Sequence, residues 1–373
     1  MEKEKIKIWL QYPWKFPDSP YYKYLIDEPP KNIEYLNVKK QKGVITNKKF
    51  FWFSNFLKRK IRSLMNLFHF SIPNAHLTKT EKNFDLIQCA HCLSKNKYKP
   101  WIMDLESKWQ LYIGDLYIED KRKKTKNKIR KILLRKNCKK IIPWTQETAK
   151  GLIKEFPEIR EKIEVVYPAV PLSKIKRKKH KGINLLFVGR YFYEKGGLHA
   201  LEAFDKLTKK YENVKAIIIS EIPEKIKEKY SKNKKIKFYE LVPQKKLFEN
   251  IYPISDILIY PGYSDTYGFL FMEAMSSGIP IITVDGFARK EIVQEGKTGF
   301  VIDSPKRLNR KIIGSKEEQL INELIKKAEE LIKNRKLRET LSKKGIKTIK
   351  NGKFSIKERN KKLEKIYRNS LGK

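Results

Sequence analysis

Leu185-Leu186-Phe187-Val188-Gly189-Arg190-Tyr191-Phe192-Tyr193-Glu194-Lys195-Gly196-Gly197 opens the most regular part of this chain. Residues 185–189 form an apolar run without polar alternation, which predicts a strand covered on both faces. Residues 196–211 then carry apolar side chains at helical spacing. The same alternation continues outward. Strands are expected at 214–220, 235–240, 256–261 and 280–284. Helices are expected near 224–230, at 244–252, at 267–277 with Gly278 as the stop, and at 289–295. Buried strands alternating with helices predict an α/β fold built on a parallel, doubly wound sheet.

The N-terminal half repeats the pattern less regularly. Strands are expected at 6–10, 84–88, 101–104, 140–143 and 163–167, and a helix at 145–156. Residues 171–181 are polar, strongly basic and aperiodic. The expected organisation is a Rossmann-like domain over 1–172, a basic linker over 173–181 and a second Rossmann-like domain over 182–352. Residues 353–373 hold a closing amphipathic helix, expected to pack back on the first domain. Two such domains leave a cleft between the C-terminal edges of their sheets, where ligands of open α/β sheets bind.

Composition agrees with two domains. The chain has 373 residues, 40% hydrophobic and 12% aromatic, which excludes disorder as its main state. Three cysteines make no disulfide scaffold and point to a reducing compartment. No apolar run reaches the ~18 residues of a membrane-spanning helix. The start is too charged for a signal peptide. The expected location is cytoplasmic, with peripheral attachment to the inner face of the cell membrane left open. Lys and Arg number 84 against 42 Asp and Glu, a formal charge of +42. Such a field attracts phosphorylated ligands, anionic lipid or nucleic acid. An AT-rich coding sequence, which favours Lys, Ile and Asn together, gives the same total with no partner.

Two loops at strand ends carry the candidate chemistry. Ser264-Asp265-Thr266-Tyr267-Gly268-Phe269-Leu270-Phe271-Met272-Glu273 follows a buried strand and opens a helix. The amides at Gly268, Phe269 and Leu270 lack intrahelical partners. With the helix dipole they form an anion site suited to phosphate. Gly268 lets that anion approach the backbone closely. Asp265 lies in the loop and Glu273 in the second helical turn, spaced so that both carboxylates border one pocket. Carboxylates there accept hydrogen bonds from ribose or sugar hydroxyls. In the loop after 185–189, Arg190 can fork onto phosphate oxygens, and Lys195 adds a point charge. Two cations and a helix N-terminus can neutralise a diphosphate, so no metal and no other cofactor is expected.

These residues resemble a family. Asp265-x7-Glu273, continued by Ala274-Met275-Ser276-Ser277-Gly278-Ile279-Pro280, is similar to the E-x7-E region of retaining glycosyltransferases of family 4. Phe187-Val188-Gly189-Arg190 with Glu194-Lys195-Gly196 resembles that family's Arg/Lys donor motif. Val165-Val166-Tyr167-Pro168-Ala169-Val170-Pro171 resembles the segment leaving its first domain. Glu291-Ile292-Val293 with Gly296-Lys297-Thr298-Gly299-Phe300 resembles its late donor segment. The resemblance spans roughly 165–302. It implies the GT-B fold, an α/β architecture of two Rossmann-like doubly wound domains facing an interdomain cleft. It further implies a nucleoside-diphosphate sugar held mainly by the second domain and moved, with retention and without metal, to a hydroxyl acceptor, lipid-linked or on a surface glycan. Arg190 and Lys195 are then implied on the donor diphosphate, the amides near Gly268, Phe269 and Leu270 on its distal phosphate, Glu273 on the ribose and Asp265 on the transferred sugar. Two departures stand out. Asp265 occupies a place where the family usually has Glu, an arm one methylene longer. The loop at 11–21 is aromatic and proline-rich where the family often has glycines.

On the acceptor side, Cys89-Ala90-His91-Cys92 resembles the family's His-containing segment, and Glu106 stands where many members carry a His near the reacting sugar. His91 and Glu106, with Asp265, are the catalytic candidates. A locally satisfied loop His and a solvated Glu at a strand end are the competing explanations. Cys89-x2-Cys92 is half a zinc pattern without a second pair. Residues 47–70 set Phe53, Phe56, Leu57, Ile61, Leu64 and Phe68 at helical spacing, with Lys58, Arg59 and Arg62 opposite. Residues 121–140 hold twelve basic side chains in twenty. Such segments suit an anionic membrane surface, or a core-facing helix with a solvated basic back. Two other functions stay open: a GT-B epimerase or phosphorylase, and a basic nucleic-acid-binding protein. No helix-turn-helix, RNA-recognition or zinc-finger signature is present, so nucleic acid is not expected as a partner.

Overall fold

Parallel strands buried on both faces organise the computed structural model, which describes residues 5–12, 20–38, 56–57, 60–61, 63–64, 67–68, 70–114, 119–304, 314 and 317–373. The chain forms two compact units, Met1–Pro168 together with Ile356–Lys373, and Ala169–Ser355. The strands of the two main sheets and the longer helices are numbered along the chain.

In the first unit the strands are β1 (Ile6–Gln11), β2 (Ile33–Leu36), β3 (Leu86–Ala90), β4 (Trp101–Leu105) and β5 (Cys138–Pro143). They pair in the order β2-β1-β3-β4-β5, all parallel. Every residue of β3 and β4 is buried, as expected of central strands covered on both faces. Helices α1 (Pro20–Asp27), α2 (Glu119–Leu133) and α3 (Gln146–Glu155) belong to this unit. Ile87, Trp101, Met103, Ile141, Leu152 and Phe156 meet in one core.

The strand expected at 163–167 is reduced to one bridge, Ile163 against Ile141. The amides of Glu164 and Val166 still donate to the carbonyls of Ile141 and Pro143. Pro168, which has no amide hydrogen, ends the ladder.

The second unit contains β6 (Ile183–Gly189), α4 (Gly197–Lys210), β7 (Val214–Ser220), α5 (Glu224–Tyr230), β8 (Ile236–Tyr239), β9 (Ile257–Ile259), α6 (Phe269–Ser276), β10 (Ile281–Val284), β11 (Gly299–Ile302), α7 (Glu318–Lys333) and α8 (Arg335–Asn351). The sheet order is β8-β7-β6-β9-β10-β11, again wholly parallel. The basic segment 173–181 is tied to this unit. Arg177 donates to Asp256 at 2.6 Å, and the Lys178 amide donates to the Pro253 carbonyl at 2.8 Å.

One helix expected here is not regular. Residues 244–252 form a single α-turn, Gln244–Lys246, then a π-turn, Leu247–Ile251, and a 3-10 turn, Tyr252–Ile254. Pro253 cannot donate to a carbonyl four residues back, so an α-helix cannot run through it.

The last helix, α9 (Ile356–Leu371), is part of the first unit. Leu363, Ile366 and Tyr367 are fully buried. Arg359 donates to the Glu28 carbonyl at 2.6 Å, and Tyr367 donates to Gln88 Oε1 at 2.7 Å. The residues of the expected apolar face of 47–70 that the structure describes (Phe56, Leu57, Ile61, Leu64 and Phe68) are exposed rather than core-facing. Phe53, Lys58, Arg59 and Arg62 lie outside the described residues, as do 13–19 of the loop after β1. Among the described residues no helix is long and apolar enough to cross a membrane.

Tyr367→Phe deletes the donor to Gln88 and the hydroxyl that meets Tyr35 OH at 2.7 Å. Leaving buried polar groups unmatched costs about 1–3 kcal/mol. Urea unfolding should show a loss of that size. An unchanged midpoint would mean that the Tyr367 hydroxyl adds nothing to the hold on α9.

Candidate functional site

The second unit's strand order reverses between β6 and β9, and the loops leaving both strands lie at that reversal. Open α/β sheets bind their ligands at such points. The backbone bonds the two loops to each other. Gly262 N donates to Lys195 O at 3.0 Å, and Ser264 N donates to Glu194 O at 3.2 Å. Gly196, with φ of +80°, lets the first loop turn into α4, and a Cβ there would meet Pro261 at 2.4 Å. No larger residue fits that turn.

This stitching brings together most of the donor-side candidates. Lys195 Nζ lies 2.5 Å from Asp265 Oδ1, and Tyr260 OH donates to Asp265 Oδ2. Burial, reinforced by the Asp265 charge, holds the Tyr260 phenol well above its ordinary pKa, so it stays protonated as a donor. Arg190 follows β6 and is exposed. Gly268, with φ of +79°, is the N-cap of α6, and no side chain caps this helix end. The amides of Phe269 and Leu270 begin α6. Glu273, one turn further, is buried and accepts from Gln244 Nε2 at 2.5 Å and from Tyr252 OH at 2.8 Å. The irregular turns over 244–254 deliver both donors.

One organising residue escaped the sequence reading. Arg289 is buried, and its Nη1 donates to the carbonyls of Gly262 at 2.6 Å and Asp265 at 3.0 Å, while Nε donates to Val284 O. It therefore fixes the loop that presents Asp265 against the end of β10. Burial lowers its pKa, and the nearby Asp265 charge works against that shift. The available signal was Gly286, where an added Cβ would stand 2.2 Å from the guanidinium.

In the first unit, His91 and Glu106 both follow central strands at their C-terminal ends. His91 has φ of +54°, and its amide donates to Asp104 O at 3.1 Å. Its Nδ1 lies 3.8 Å from Asp104 Oδ1. Burial pushes the imidazole down to about 3, so the ring is neutral at physiological pH. Burial pushes the Asp104 carboxyl the other way, up to about 7, although hydrogen bonds from Tyr22 and Gln88 favour its charge. Glu106 is half-buried. Its amide donates to Gln110 Oε1 at 2.9 Å, and its carbonyl accepts from Thr148 Oγ1 at 2.7 Å. Cys89, Cys92 and Cys138 are buried and unbridged. Burial pushes the Cys89 thiol up, which disfavours the thiolate a metal needs. Among the described residues no three His, Cys, Asp or Glu side chains converge as metal ligands.

Comparison with other proteins bears mainly on the second unit. Residues 171–348 match the family described as Glycosyl transferases group 1. The capsular polysaccharide biosynthesis glycosyltransferase CapM of Staphylococcus aureus is 27% identical over 209 residues, which are 53% of this chain and 50% of that protein. The chain spans about half the length of the curated relatives it matches. Solved structures resemble the whole chain. A glycosyltransferase from Rickettsia africae superposes with a TM-score of 0.61 at 13% identity, covering 99% of each chain. Anabaena Alr3699/HepE, solved with UDP-glucose, superposes with a TM-score of 0.60 at 12% identity, covering 98% of this chain and 100% of that one. These likenesses establish the GT-B fold.

The buried pair in the first unit makes a signed prediction. Asp104 titrates at about 7 when folded against 3.8 for an ordinary aspartate. A raised folded pKa gives stability that is present at low pH and lost as pH rises through that window, because the unfolded chain ionises first. Asp104→Asn removes this titration. Its stability relative to the natural chain should therefore climb between about pH 4 and 7 and level off above. A difference independent of pH would contradict the assignment.

Proposed function

We propose that this chain, whose residues 171–348 match the group 1 glycosyl transferases, is a retaining, metal-independent glycosyltransferase. It moves a sugar from a nucleoside diphosphate to a hydroxyl acceptor. The observation that carries this reading is the pair of bonded loops at the strand reversal, which gathers Lys195, Asp265 and the α6 N-terminus beside Arg190. Support also comes from CapM, named as a glycosyltransferase of capsular polysaccharide biosynthesis, and from HepE, solved with UDP-glucose.

In this reading, negative charge grows on the diphosphate as the glycosidic bond breaks. Arg190 forks onto its oxygens, and the amides of Phe269 and Leu270 receive the distal phosphate. Lys195 has three donor hydrogens, so it can keep Asp265 and still reach a phosphate oxygen. Fixed donors of this kind need no rearrangement when the charge develops. Glu273, steadied by Gln244 and Tyr252, takes the ribose hydroxyls. Asp265, steadied by Tyr260 and the Arg289-held loop, takes the sugar. The first unit supplies the acceptor side. His91, kept neutral by burial, hydrogen-bonded by the Gln110 side chain and lying beside Asp104, and Glu106 are the two polar groups at these strand ends. The nucleotide sugar is a substrate, and no resident cofactor is required.

Lys195→Ala and Arg190→Ala should each lower turnover by roughly 10²–10³, the scale of one lost charge-stabilising donor. Chelator should leave the rate unchanged. Glu273→Gln should weaken binding of the bare nucleoside diphosphate, measured by calorimetry, while Asp265→Asn should mainly reduce transfer. Full activity in Lys195→Ala would overturn the donor assignment. Turnover of donor without acceptor would favour an epimerase instead.

We also propose that the first unit works at an anionic bilayer, where a lipid-linked or surface-glycan acceptor is found. Exposed Phe56, Leu57, Ile61, Leu64 and Phe68, in a stretch rich in Lys and Arg, support this. Each basic residue near such a surface contributes about 1 kcal/mol. The full chain should co-sediment with phosphatidylglycerol vesicles at low salt and be only partly released at high salt. No binding at low salt would leave the charge without this role.

A further inference from the structure

A groove of about 900 Å³ lies in the first unit beside the starts of β4 and β5 and the end of α9, away from the strand ends that carry His91 and Glu106. Lys97, Arg135, Lys136 and Lys139 line it, and no Asp or Glu is among the residues that do. Three of these cations come from the basic stretch 121–140, for which the transferase chemistry has no use.

The groove is a built feature rather than a chance meeting of surface lysines. Asn137 donates to the carbonyls of Asn96 at 2.9 Å and Lys99 at 3.0 Å, which clamps the Lys97 turn to the Arg135–Lys139 segment. Trp101 N donates to Asn137 O at 2.8 Å and extends the clamp into β4. Lys162 donates to the carbonyls of Leu133 at 2.8 Å and Arg135 at 2.9 Å. It covers the negative end of α2, which would otherwise repel an anion.

Two residues of the lining each hold a buried polar atom without a partner. Arg135 Nη1 and Ser370 Oγ are both buried and make no hydrogen bond, and Ser370 is only 7% exposed. Buried polar groups are nearly always matched, so each unmatched one calls for an explanation. Four like charges with no Asp or Glu among the lining residues also repel one another. A ligand that neutralises the cations answers the second feature, and if it draws the Arg135 and Ser370 side chains to the groove surface it answers the first as well. A guanidinium fork, three ammonium groups and a hydroxyl are the donors that a tetrahedral dianion accepts. Tyr98, 92% exposed at the rim, offers a ring face to whatever that dianion is attached to.

We infer that this groove binds a phosphate group, as a second anion site separate from the donor site. The phosphate can belong to a lipid headgroup or to a soluble phosphate ester, and the site chemistry is the same for both.

The test uses the full chain carrying Arg190→Ala and Lys195→Ala, so that the donor loops lose both cations and any binding left at the α6 amides is common to every variant compared. Pyrophosphate binding is measured by calorimetry at low salt. Adding the exposed pair Lys136→Glu and Lys139→Glu should weaken binding at least tenfold. Ser370→Ala should weaken it about threefold. Arg135→Lys, which keeps the charge and loses the fork, should fall between them. Competition by phosphatidylglycerol vesicles, but not by phosphatidylcholine vesicles, would identify a lipid phosphate. Pyrophosphate binding that such vesicles leave untouched would identify a soluble one. Absence of pyrophosphate binding in the background chain, or equal binding in the charge-reversed chain, overturns the inference.

Discussion

The ion pair of Lys195 with Asp265 exists because two loops on either side of a strand-order reversal are bonded backbone to backbone. Gly262 N to Lys195 O and Ser264 N to Glu194 O set their separation. Gly196 permits the close approach of Pro261. Arg289 then holds the carbonyls of Gly262 and Asp265 from beneath. Each element fixes a backbone rather than a side chain, so the charged groups inherit their positions. A site meant to receive growing negative charge gains from such preorganisation, since little reorganises during the reaction.

The first unit uses the opposite device. Its central strands are apolar except at Gln88 and Asp104, and these two are bonded at 2.7 Å. Tyr367 of the last helix donates to Gln88, and Tyr22 donates to Asp104. The helix α9 therefore joins, through two hydrogen bonds, a carboxyl that borders His91. A buried acid near neutrality and a buried neutral imidazole are a combination that desolvation produces at either group.

Much of this was legible in the sequence. The strands at 185–189 and 214–220 read clearly because runs such as Leu185-Leu186-Phe187-Val188 have no alternation to confuse a buried strand with an edge. The donor candidates were legible because Gly196 and Gly268 mark turns that demand a left-handed backbone, next to Lys195 and Asp265. What stayed hidden depends on contacts distant in sequence. Gly286 leaves room for Arg289, but nothing local tells that it supports a loop more than twenty residues earlier, or marks Tyr252 and Gln244 as partners of Glu273. The helix expected at 244–252 is broken after Lys246 into a π-turn and a 3-10 turn, where the ring of the following Pro253 crowds the carbonyl four residues back. The exposed apolar residues at 56–68 carry a helical period, and period alone does not say which side of a protein will cover it.

The most direct measurement is a crystal structure of the full chain with a nucleoside diphosphate. The account predicts phosphate oxygens about 2.7–3.2 Å from Arg190, Lys195 and the amides of Phe269 or Leu270, with a ribose hydroxyl on Glu273 and the Lys195–Asp265 contact retained. A diphosphate bound elsewhere, or one in this loop pair that touches neither Arg190 nor Lys195, would contradict it.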